Sequence, residues 1–180
     1  MIILITGSTH TGKTNLAQKL LEKYKYPYLS QDHLKMGLIR TKKTEITPND
    51  SFEKITKEVW PITREIIKTN IENKQNIIVE GCYIPFNYKD DFEEQYLKEI
   101  KFICLVFSEG YIEKKYEDIL NFESVIEERL EAGDSWLTKE MLIEENNYNL
   151  KECKNSNLNY ILIEDEYNLE EILFTRGREV

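Results

Sequence analysis

Residues 7–14 read Gly7-Ser8-Thr9-His10-Thr11-Gly12-Lys13-Thr14, a complete G-x-x-x-x-G-K-[ST] string. It follows the apolar run Ile2-Ile3-Leu4-Ile5 and precedes Asn15-Leu16-Ala17-Gln18-Lys19-Leu20-Leu21, whose apolar spacing is helical. Strand, glycine-rich turn and helix, in that order, is the setting in which the string has mechanical meaning. The glycines let the backbone curl so that successive N–H groups over Gly7–Asn15 point at phosphate oxygens. Lys13 reaches the β/γ-phosphates, and the Thr14 hydroxyl ligates Mg²⁺. The expected ligand is a nucleoside triphosphate, ATP with Mg²⁺, and the histidine inside the loop, His10, is expected to serve through its backbone amide.

Five short apolar runs alternate with amphipathic stretches: 2–5, 26–29, 77–79, 102–107 and 160–163. Continuous rather than alternating apolarity suits strands covered on both faces of a parallel sheet. Helices are predicted over about 13–24, 33–41, 51–73, 90–98, 109–130, 138–153 and 168–174, with Pro61 interrupting the third pattern. The alternation predicts a doubly wound α/β architecture. No linker or internal repeat divides the chain, so 1–180 reads as one domain. The acidic stretch 109–155 is longer than a crossover needs and is expected to hold a helical lid standing off the sheet.

The net charge of −9 opposes broad contact with nucleic acid or an anionic membrane, either of which needs a positive footprint. Cys82, Cys104 and Cys153 form no C-x-x-C pair and imply neither a disulfide framework nor a zinc site. A reducing cytoplasm is the expected compartment. Monomer and homodimer both remain open. The acidic pairs Glu93-Glu94 and Glu144-Glu145 read as solvated faces.

The loop after the first strand, Ser30-Gln31-Asp32 after the second and Ile77-Ile78-Val79-Glu80-Gly81 at the third resemble the adenylate-kinase-type small-molecule kinases. The runs Asp32–Arg40 and Val79–Pro85 are also similar to bacterial proteins labelled adenylate kinase or 2-phosphoglycerate kinase. The resemblance implies a P-loop three-layer sandwich with a five-stranded parallel sheet in the order 2-3-1-4-5 and a mobile lid between the fourth and fifth strands. Two departures stand out. Lys35 occupies the place of an arginine in the T-G-D-x-x-R string of adenylate kinases, and Glu80–Pro85 lacks the arginine of D-G-F-P-R. Both remove contacts to a monophosphate, and the Glu80-Gly81 pair is closer to zeta-toxin-like kinases.

Phosphoryl transfer asks for positioning and charge neutralisation, which selects the candidate residues. Asp32 is the expected base, in a place that also suits an N-cap of the helix after it. Glu80, ending an apolar strand, should face metal, ligand or a cation. Arg40 and Arg64 are candidate contacts to a substrate anion, and Tyr83 is a candidate for stacking or hydrogen bonding to the acceptor. Arg129, in the lid stretch, is a candidate to stabilise the transferring phosphate. Together with Lys13 these describe an ATP- and Mg²⁺-dependent kinase acting on a small-molecule hydroxyl or phosphate. A nucleoside or nucleotide kinase, a sugar-nucleotide kinase and a non-catalytic nucleotide switch are the alternatives.

Overall fold

The first strand sends its side chains alternately to two different cores. In β1 (Ile2–Gly7), Ile2 and Leu4 join one apolar cluster with Trp60, Ile67, Val79 and Phe102. Ile3 and Ile5 join another with Leu16, Ala17 and Leu20. Successive residues of a strand face opposite ways, so a strand apolar at every position needs cover on both sides. The computed structural model supplies that cover, and it describes residues 1–121 and 137–168.

The elements follow in chain order as α1 (Lys13–Tyr24), β2 (Tyr28–Ser30), α2 (Gln31–Arg40), α3 (Phe52–Glu72) and β3 (Ile77–Glu80). A 3₁₀ turn (Tyr88–Asp91), α4 (Glu94–Leu97), β4 (Ile100–Phe107), α5 (Glu109–Asn121), α6 (Lys139–Asn155) and β5 (Tyr160–Ile163) complete it. The five strands form one sheet in the order β2-β3-β1-β4-β5, every pairing parallel. The expected α/β class and strand order are therefore observed. α1 lies on one face, α3 and the Cys153 end of α6 on the other. Each fully buried Ile or Leu of these clusters contributes about 1.5–3 kcal/mol of transfer free energy.

Helix α3 continues through Pro61. The two described ends of the 109–155 stretch are built into the body: Tyr111, Ile112, Ile119 and Leu142 share a cluster with Phe107 and Ile163. Asn146, on the same helix as Leu142, accepts a bond from the Phe107 N–H at 2.8 Å through Oδ1. Residues 122–136 lie outside the described residues, and with them Arg129 and the core of the lid expectation. The helix expected at 168–174 falls almost entirely outside them as well. No helix among the described residues is long and apolar enough to cross a membrane.

Candidate active site

Parallel pairing brings the carboxyl ends of β1, β2 and β3 to one edge of the sheet. Ile5 and Ser30 both stand in register with Glu80, and β1 runs directly into the phosphate-loop string. The loop is drawn tight around one carbonyl. Ser8 O accepts from the Thr11 hydroxyl at 2.8 Å and from Lys13 Nζ at 2.7 Å. The loop's other half ends at Gly12, whose φ of 79° lies in the left-handed region where a Cβ is unfavourable.

Helix α1 begins at Lys13 with no side-chain cap and no acidic residue in its first turn. By contrast, Ser51 accepts from Lys54 N at the start of α3, and Thr138 from Met141 N at the start of α6. The first N–H groups of a helix have no partners within it, so α1 alone of these three presents its orphan donors and positive dipole end uncapped. That arrangement fits a polyphosphate. The Thr14 hydroxyl lies 3.4 Å from Glu80 Oε2, and hydroxyl plus carboxylate is the oxygen donor set that a hard divalent cation takes.

Glu80 is 2% exposed and Lys13 8%, so charges here interact with little screening by water. Burial works to lower the Lys13 pKa, yet Cys82, Glu80 and Asp32 hold it above the ordinary lysine value. Burial also pushes the Cys82 thiol up, leaving it uncharged at neutral pH. The two carboxylates then hold Lys13 protonated under all physiological conditions.

Asp32 stands just beyond the end of β2. Helix α2 begins two residues earlier than the sequence spacing predicts, with Ser30 as its N-cap residue, so Asp32 belongs to the first turn and does not cap. Its Oδ1 takes a bond from Lys35 Nζ at 2.6 Å, and the same ammonium donates to Tyr83 Oη at 3.0 Å. Burial works against the charge on Lys35, but Asp32 and Tyr83 outweigh it and raise its pKa. The Asp32 side chain remains 49% exposed, open to an incoming hydroxyl. Gln31 fixes this corner from below: it is fully buried, donates to Thr63 Oγ1 at 3.3 Å and accepts from Tyr83 N at 2.9 Å.

The two arginine candidates lie elsewhere. Arg40 is exposed in the last turn of α2. Arg64 donates to Glu65 at 2.8 Å and to Asp91 at 3.5 Å, so its guanidinium is turned toward the 3₁₀ turn. His10 has a φ of 62° and its ring lies 3.1 Å from the Thr9 hydroxyl.

Three contacts to the loop escaped the sequence reading. Asn149 Nδ2 donates to Ser8 Oγ at 2.9 Å. The Glu145 carboxylate faces the Thr9 N–H and feels the charge of Lys13; burial nevertheless raises its pKa. The pair Glu144-Glu145 is thus not a uniformly solvated face, because α6 turns Glu145 and Asn149, one turn apart, onto the loop. Tyr167, after β5, donates to the carbonyls of Thr11 and Gly12 at 3.3 and 3.4 Å. These partners lie well over a hundred residues from the loop, beyond the reach of any local pattern.

Comparison with known proteins agrees with this geometry. The family model described as zeta toxin matches residues 1–98, which hold the phosphate loop, Asp32 and Glu80. No curated protein matches the sequence. Among solved structures, a gluconokinase from Sinorhizobium meliloti 1021 superposes with a TM-score of 0.52 at 16% identity, covering 95% of this chain and 86% of that one. A shikimate kinase from Bacteroides thetaiotaomicron gives 0.54 at 13%, covering 99% and 97%. A deoxyadenosine kinase from M. mycoides gives 0.54 at 13%, covering both chains fully. At such identities the likeness is one of fold.

Proposed function

This chain belongs to the zeta toxin family, and from that premise we propose that it is an ATP- and Mg²⁺-dependent kinase that phosphorylates a small molecule. The observation that carries the reading is the meeting of Lys13, Glu80 and Asp32 at one sheet edge, beside a helix start whose N–H groups are uncapped. A carboxylate open to solvent beyond the phosphate loop is what a phosphotransferase uses to receive the acceptor's proton.

The roles follow from position. Amides of residues 7–15 and the Lys13 ammonium bind the triphosphate, and Lys13 leaves Ser8 O to do so. Thr14 and Glu80 would hold Mg²⁺, which would supply positive charge against the phosphate oxygens. The acceptor oxygen attacks the γ-phosphorus as the bond to the bridging oxygen of ADP breaks. Asp32 takes the acceptor's proton, and Lys35 orients that carboxylate through its 2.6 Å bond to Oδ1. Arg129 would add charge to the transferring phosphate from the 109–155 segment; Arg40 and Arg64 would need to turn from their present positions to reach an acceptor.

The test is release of ADP from Mg·ATP by the purified protein across nucleosides, nucleoside monophosphates, sugars, sugar nucleotides and phosphoglycerates, with Lys13→Ala as the blank. Acceptor-dependent ADP that disappears in the blank supports the kinase. Tight ATP binding with no turnover on any class would favour a nucleotide-binding switch instead.

A further inference from the structure

Glu80 and Gly81 divide the end of β3 between two neighbours. Glu80 faces the Thr14 hydroxyl. Gly81 carries the sheet one residue further, its N–H donating to Ile5 O at 3.0 Å, and presents no side chain. A Cβ there would stand 2.6 Å from both Cβ and Oε1 of Gln31. The glycine leaves a passage past the strand end, and the Gln31 side chain, rooted at the start of α2, fills it.

The two groups beyond the passage dictate an amide. The Tyr83 N–H can only donate, and it meets Gln31 Oε1 at 2.9 Å. The Thr63 hydroxyl gives its proton to Val59 O at 2.9 Å, so it accepts from Gln31 Nε2 at 3.3 Å. Gln31 and Thr63 are fully buried, and Tyr83 nearly so. A glutamate would lack the donor and a methionine would lack both groups, and a buried polar group left without its partner is costly.

Tyr83 closes these contacts into a ring. Gln31 holds its backbone N–H, its hydroxyl takes Lys35 Nζ, and the same ammonium holds Asp32 Oδ1. Asp32 is in turn the next residue after Gln31. Half-exposed itself, the Asp32 carboxylate is placed by this ring and not by close packing. Resting on the kinase reading above, we propose that Gln31 is a positioning residue for the base: by holding Tyr83 it fixes, through Lys35, where the Asp32 carboxylate stands beside the phosphate loop. Buried as it is, Gln31 touches neither nucleotide nor acceptor and acts through Asp32 alone.

The experiment is a double-variant cycle on turnover, read by ADP release with the acceptor that the panel above identifies. Gln31→Met keeps the length of the side chain and removes both of its bonds. In the wild-type background it should lower kcat about tenfold or more, the scale of a slightly misplaced catalytic group, with the KM for ATP and the half-maximal Mg²⁺ concentration within about twofold. In the Asp32→Asn background it should lower kcat by less than about twofold, because the base that it positions is already gone. Tyr83→Phe opens the ring at the hydroxyl and leaves the backbone N–H in place. It should lose severalfold in kcat with the same dependence on background, and it carries the test where Gln31→Met does not fold. Equal losses in the two backgrounds, or a kcat that neither variant changes, overturns the positioning role even where ADP release shows a kinase. No ADP from the wild type with any acceptor overturns the kinase reading, and the positioning role with it.

Discussion

The Thr14 hydroxyl and Glu80 Oε2 stand 3.4 Å apart, one opening α1 and the other closing β3, because β1 and β3 pair in register with Ile5 opposite Glu80. From the end of β1 at Gly7 the phosphate loop turns the chain back into α1 at Lys13, and that turn sets the Thr14 hydroxyl over the end of β3. Glu80→Gln keeps the shape and removes the charge. It is expected to raise the Mg²⁺ concentration for half-maximal turnover by tenfold or more while leaving Mg²⁺-free nucleotide binding nearly unchanged. Turnover titrated with Mg²⁺ at fixed ATP measures the first, and calorimetry in EDTA the second. An unchanged Mg²⁺ requirement would remove Glu80 from the metal site.

Asp32→Asn should lower turnover about 10²-fold or more, the usual scale for a positioned base, with ATP affinity retained. Single-turnover kinetics beside equilibrium ATP binding separates the two. Normal turnover in the variant would take the base role from Asp32.

Lys35 offers a pH signature. Its folded pKa is raised, against burial, by Asp32 and Tyr83. The stability that this pairing contributes is therefore fully present below the unfolded lysine value and lost as pH rises through the higher folded one. Lys35→Met should melt below wild type at pH 7–9, and the gap should narrow above the ordinary lysine range. A gap independent of pH would mean that Lys35 acts through its hydrocarbon stem alone.

The strands were legible because all five carry short apolar runs, and the sheet order followed from the resemblance to known kinases. Boundaries slipped where tertiary pairing extends an element past its apolar run: Gly7 still pairs with Leu105, so β1 runs on into the loop. Helix α2 starts early because Gln31, polar but buried, is satisfied by Thr63 and the Tyr83 backbone, which no local pattern announces. The phosphate loop, Asp32 and Glu80 could be named because each sits at a fixed offset from a strand. Glu145, Asn149 and Tyr167 could not, since their value depends on how α6 and the chain after β5 fold back.

Glu145 should set how the loop tells ATP from ADP. The Glu145 carboxylate feels the charge of Lys13, whose targets are the β/γ-phosphates, and the Thr9 N–H belongs to the loop whose amides suit phosphate oxygens. The Glu145 carboxylate facing that N–H competes with the γ-phosphate for the donor and repels it. Glu145→Gln is expected to tighten ATP severalfold while ADP affinity changes by less than twofold. Titration calorimetry with both nucleotides decides, and equal shifts for the two would mean that the carboxylate does not sense the terminal phosphate.

Gly12 carries two constraints at once. Its left-handed backbone, φ 79°, disfavours a side chain by about 1–2 kcal/mol. A Cβ there would also run into the Tyr167 hydroxyl, whose ring is held edge-on by Phe107 at 6.2 Å. Gly12→Ala should therefore lose both stability and nucleotide affinity. Tyr167→Phe alone should be mild, removing the bonds to the Thr11 and Gly12 carbonyls but keeping the ring. Losing the hydroxyl removes the closer of two overlaps and leaves Tyr167 Cζ at 2.7 Å, so part of the clash is relieved and the double variant should be less damaged than the sum of the singles, by about 0.5–3 kcal/mol for residues in contact. Urea denaturation of the four proteins gives the coupling. Strict additivity would mean that the backbone conformation, and not the tyrosine, makes glycine necessary at this position.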